Sequence, residues 1–71
     1  MTIKIGSTIK HSLFRGEILQ GTIEEIEICK RDEKYGRPVE SCDIKKHKNG
    51  VVTLDNGHWC YFNQIIKVIN L

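Results

Sequence analysis

His58 and Cys60 are the residues of this chain whose types and spacing come nearest to a reactive site. On an extended segment, positions two apart project to the same side. Cys29 and Cys42 would approach them only from neighbouring strands. Structural zinc takes four ligands in a tetrahedron, drawn mostly from closely spaced cysteine pairs, and no such pair is present. A thiol nucleophile needs its base to converge on the sulfur, whereas side chains two apart on a strand run parallel. The chain also lacks a phosphate-cradling glycine loop, a Ser-His-Asp set and a carboxylate pair set for acid–base work. The three cysteines therefore read as small hydrophobes. The expectation is a protein that is not an enzyme and carries neither metal nor cofactor.

Binding chemistry is better represented. Residues 30–48 hold seven Lys or Arg against four Asp or Glu, net +3, while residues 1–27 are net −1 and residues 49–71 are neutral. The basic segment carries Lys30, Arg31, Lys34, Arg37, Lys45, Lys46 and Lys48, with Tyr35 among them. A basic patch beside an aromatic is the footprint expected for nucleic acid, with lysines on phosphates and Tyr35 or Trp59 stacking on bases. Interspersed Asp32, Glu33, Glu40 and Asp43 cancel part of that field, and the net charge of the whole chain is only +2. Glu24, Glu25 and Glu27 read as a solvated strand face.

The other candidate is aromatic. Trp59 and Tyr61 share one face of a strand that follows the turn signal Asp55-Asn56-Gly57. The length of that turn decides their fate, because slipping the register by one residue exchanges the faces. A two-residue Asn56-Gly57 turn would pair Leu54 with Trp59 and Val52 with Tyr61, placing all four in the core. A three-residue turn closed by Gly57 would pair Leu54 with His58 and Val52 with Cys60. Trp59 and Tyr61 would then be exposed beside Thr53, as an anchor for a protein partner. The frequency of two-residue Asn-Gly turns favours the buried arrangement.

These residues need strands to position them, and the composition is that of a β protein. Eleven Ile and four Val outnumber four Leu, and Ala is absent, so stiff β-branched side chains replace the best apolar helix formers. With 71 residues the chain is read as one domain, 1–71, with a thin core. Strands are expected near residues 1–5, 8–10, 21–30, 39–46, 51–54, 58–61 and 66–69. A loop is expected over 11–20 and another over 31–38, with a 3-10 turn over 62–65. Ile23 breaks the alternation of the long strand, so a bulge or bend is expected near Glu24-Glu25. No apolar run approaches the length of a membrane helix. An odd cysteine count without a leader-like N-terminus fits a cytoplasmic protein with reduced thiols.

From Gly21 to Ile69 this order of elements resembles the SH3-like barrel, above all in the stretch VVTLDNGHWCYFNQIIKVI. The segment beginning Gly21-Thr22-Ile23 is similar to the opening of KOW- and Tudor-like barrels. The resemblance implies a small all-β barrel of five to six short strands, with one 3-10 turn before the last. It is architectural and implies no particular ligand. The expected role is a binding or adaptor module whose partner is another protein, or a second copy paired through an edge strand. Thr53, Trp59 and Tyr61 are its expected contact residues. Nucleic-acid binding through the basic segment is the alternative, and no membrane association is expected.

Overall fold

A computed structural model of the chain describes residues 1–29, 36–47 and 49–70. Its strands are β1 (Thr2–Lys4), β2 (Thr8–Ser12), β3 (Ile18–Ile28), β4 (Arg37–Val39), β5 (Ser41–Asp43), β6 (Gly50–Leu54), β7 (Trp59–Tyr61) and β8 (Ile65–Asn70). One 3-10 turn, Phe62–Gln64, lies between β7 and β8. The protein is all-β, as its wealth of β-branched residues leads one to expect, and the 3-10 turn precedes the last strand. The described residues form eight strands, where the SH3-like resemblance implies five to six. The sheets stay open rather than closing into a full barrel.

The larger sheet runs β7-β6-β3-β2-β8, with β4 also paired to β3, and a small sheet joins β1 to β5. Every pairing is antiparallel. The long strand β3 serves both halves of the larger sheet. Residues Ile18 to Thr22 pair with β2, and Ile23 to Ile28 pair with β6. The register shifts between Ile23 and Glu25, which is the irregularity that the broken alternation at Ile23 announces. The extra residue lets Ile23 and Ile26 both face the core while Glu24 and Glu25 stay in solvent.

Two segments differ from the sequence expectation. The loop expected over 11–20 is mostly hairpin, because β2 continues through His11 and Ser12 and β3 begins at Ile18. Only Leu13 to Glu17 turn, closed by the Leu13 N–H donating to the Glu17 carbonyl at 2.8 Å. Periodicity is masked there by His11, a polar residue that is wholly buried. Of the strand expected over 39–46, Val39 ends β4, 41–43 form β5 and 44–46 turn. Arg37 and Pro38, expected in the loop 31–38, belong to β4, and the first five residues of that loop lie outside the described residues. The strands β4 and β5 pair with different partners, β3 and β1. Pro38 lies within β4, paired with Glu27 at the outer side of β3, where a missing N–H does least harm.

The core is Ile3, Ile9, Ile23, Ile26, Cys42, Val52, Leu54, Cys60 and Phe62. Phe62 enters it directly over Gly50, where a Cβ would collide with its ring and approach the Glu27 carbonyl oxygen to 2.8 Å. Glycine is therefore required at position 50 by close packing rather than by an unusual dihedral.

Candidate interaction surface

The β6–β7 hairpin adopts the longer turn. Leu54 N–H donates to the His58 carbonyl at 2.9 Å, and the register pairs Thr53 with Trp59, Val52 with Cys60 and Val51 with Tyr61. The turn is Asp55, Asn56 and Gly57, and Gly57 alone takes a positive φ, +84°. The two-residue turn favoured by Asn-Gly frequency is thus corrected. The cause is the Asn56 side chain, which is tied both to its own turn and to residues distant in the chain. Its Oδ1 accepts the His58 N–H at 3.0 Å, and its Nδ2 donates to the Gln20 carbonyl at 3.2 Å. It also lies 3.2 Å from Nε2 of His11. Gly21 makes room for this amide, since a Cβ there would come within 2.8 Å of Asn56 Nδ2. Asp55 adds two further ties, its N–H donating to the Thr22 carbonyl at 3.0 Å and its Oδ1 accepting the Thr22 N–H at 2.9 Å.

The network also fixes the protonation of His11. The orientation of Asn56 makes His11 Nε2 an acceptor, so the ring proton lies on Nδ1, which is buried and has no hydrogen-bond partner among the described residues. Burial, and secondarily the charge of His58, holds the His11 pKa below its ordinary value. The His58 ring lies 6.3 Å away at a tilt of 52°. His11 is a neutral, structural histidine beneath the turn.

The consequence of the register is on the outer face. Trp59 is 53% exposed and Tyr61 44% exposed. Their rings meet edge to face, with centroids 5.3 Å apart and planes at 87°, a favoured aromatic geometry. Thr53 lies beside Trp59 in register, and Glu25 lies beside Thr53; Val51 lies between Tyr61 and Glu27 in the same way. Around the free edge of β7 a cavity of about 370 Å³ is lined by Phe14, Arg15, His58, Trp59 and Gln64. Phe14, at the tip of the β2–β3 turn, is 85% exposed. Gln64 closes the far end, its Oε1 accepting the Tyr61 N–H at 2.8 Å and its Nε2 donating to the Ser12 carbonyl at 3.0 Å. Thr53, Trp59 and Tyr61, expected as contact residues, stand together. Phe14 was hidden in a segment without periodicity, and the relation of the aromatics to Glu25 and Glu27 required the register.

The cysteines and the basic segment fare differently. Cys60 points into the core, and burial pushes its thiol up to about 11. His58, exposed at the turn, does not share its environment. Burial, and then the nearby Asp43 carboxylate, also raises the Cys42 thiol. Among the described residues no three His, Cys, Asp or Glu side chains cluster as a metal site would require. Lys45 and Lys46 are exposed in the turn after β5. Asp43 accepts the Lys45 N–H at 3.0 Å and lies 3.4 Å from the N-terminal ammonium. The Lys45 hydrogen bond, with the N-terminal charge and Lys46 adding to it, holds the Asp43 carboxyl below its ordinary range. Arg37 is exposed on β4. Lys30, Arg31, Lys34, Tyr35 and Lys48 lie outside the described residues.

No family model, curated protein or solved structure matches this chain.

Proposed function

We propose that the protein is a small SH3-like interaction module that binds another protein through the Thr53–Trp59–Tyr61 face. The observation that carries this reading is the hairpin register, which puts both aromatics outside while Val52, Leu54 and Cys60 fill the core from the alternate positions. A domain with a thin core leaves its Trp in solvent, set edge to face against a Tyr and held by a turn with several hydrogen bonds. Rigid exposed aromatics of this kind are the usual anchors of interfaces. Phe14 and the cavity beside β7 extend the apolar area around the edge of the sheet.

The nucleic-acid reading draws less support. Trp59, one of the two aromatics that would stack on bases, shares its face with Glu25 and Glu27, whose charge opposes phosphate. Lys45 and Lys46 have Asp43 between them and the N-terminus.

The test is site-specific photo-crosslinking in cells that produce the protein. A photoreactive residue at position 53 should capture a protein partner, and the same residue at position 10, on the outer face of β2, should not. Equal capture at both positions, or none at 53, would overturn the reading.

A further inference from the structure

We infer that the partner presents an extended segment with Lys or Arg at alternate positions, laid along β6 between the aromatic pair and the carboxylates of β3. This rests on the interaction reading above and names the chemistry it would recognise.

The register defines a trough. Its floor is Thr53 and Val51 on β6; one wall is Trp59 and Tyr61 on β7, and the other is Glu25 and Glu27 on β3. Adjacent strands are about 4.8 Å apart, so the walls stand roughly 10 Å apart at the backbone. A lysine or arginine stem over the small floor would have its cation within reach of a ring on one side and a carboxylate on the other. Both attractions need the same charge, and an anionic or purely apolar occupant would satisfy one wall at most. Among the described residues neither Glu25 nor Glu27 has an ion-pair partner; the Glu27 carboxylate lies against Gly36 on the β4 side of β3 and would turn across the strand to meet a cation in the trough. The aromatic wall is already set by the edge-to-face contact of Trp59 with Tyr61, so little side-chain freedom remains to be lost on binding.

Spacing sets the pattern of the partner. The row Trp59–Thr53–Glu25 and the row Tyr61–Val51–Glu27 are two residues apart along the strands, about 6.8 Å. An extended chain parallel or antiparallel to β6 repeats its side chains on one face at that same interval. Each row would then take one cation.

The experiment is an NMR titration of the whole protein, following backbone amides and the Trp59 indole. The probes are a peptide of alternating Lys and Gly, one of alternating Glu and Gly, one of alternating Val and Gly, and a single-stranded oligonucleotide. The lysine peptide should shift Thr53 and the Trp59 indole, and the other three should not match it. The double variant Glu25→Gln/Glu27→Gln should bind the lysine peptide roughly fivefold more weakly with an otherwise unchanged spectrum. Trp59→Ala should weaken it by about tenfold. Unchanged affinity in the glutamine variant, no response to the lysine peptide, or an equal response to the oligonucleotide would overturn the inference. A response to the valine peptide alone would overturn the cationic partner while leaving the interaction face standing. Failure of the photo-crosslinking at position 53 would remove the face itself.

Discussion

The two faces of the β6–β7 hairpin use alternate residues of the same short segment for different ends. The inner face, with Gly50, Val52, Leu54 and Cys60, meets Phe62 and the β3 isoleucines and is closed to solvent. The outer face, with Thr53, Trp59 and Tyr61, meets solvent and the β3 glutamates. The largest aromatic surface of the chain is thus kept out of a core that has little to spare. Neighbouring residues divide between holding the fold and meeting a partner, so the two roles should be separable by mutation.

The inner face should give the largest effect. Gly50→Ala should destabilise the protein by about 3 kcal/mol, because the added methyl must displace the Phe62 ring or the backbone of β3. Urea unfolding reads this directly, and a loss below about 1 kcal/mol would mean that the ring can step aside at little strain. The turn comes next. Asn56→Ala removes the donor that satisfies His11 Nε2 and the acceptor of the His58 N–H, and should cost about 2 kcal/mol. A Trp59 indole resonance unchanged in this variant would show that the register does not depend on the amide.

A smaller effect is expected from pH. The folded pKa of His11 is lowered by burial and by His58, so the unfolded chain binds the proton more readily. The stability contributed by neutral His11 is therefore complete above the ordinary histidine value of about 6.5 and is lost as pH falls below it toward the folded pKa. Urea midpoints at pH 7.5 and pH 5.5 should show the fall, and His11→Leu should flatten this part of the profile even if its absolute stability changes. The same slope in the variant would assign the effect to another group. The outer face should give the smallest change in stability. Trp59→Ala should shift it by no more than about 0.5 kcal/mol while removing the capture seen with the crosslinker at position 53. A large loss of stability would show that the aromatic pair belongs to the core's ledger after all and would blur the division between the faces.

Much of the fold was legible because Ile and Val alternate where one face is buried, and because a broken alternation at Ile23 can only mean an extra residue in β3. The 3-10 turn was legible from the polar Asn63-Gln64 step between apolar strands. The β2–β3 hairpin was not, since its inward residue is a histidine, and inward polarity reads as a loop until its partner, Asn56, is brought across from far along the chain. The site was half legible for a related reason. Residue types identified Trp59, Tyr61 and Thr53 as a set, but the turn length that exposes them depends on Asn56 reaching Gln20 and His11. Turn frequency, a local quantity, pointed the other way. Glu25 and Glu27 were visible only as solvent-facing charges until the pairing of β3 with β6 set them in line with the aromatics.

The order in which these contacts form follows from their separation along the chain. The β6–β7 hairpin closes across a short turn, an event of about 1–10 μs. The pairing of β2 with β8 spans up to 62 residues, to the Thr8 N–H bound by the Asn70 side chain, and that of β1 with β5 spans up to 41, from Thr2 to Asp43. Such non-local pairings place all-β domains among the slower two-state folders. The β6–β7 turn is thus expected to close early and repeatedly, its register being held only once Gln20 and His11 reach Asn56, and the joining of β2 to β8 is expected to set the pace for the whole chain. Stopped-flow traces should show that rate falling when Asn70 is replaced, and staying the same when Trp59 is.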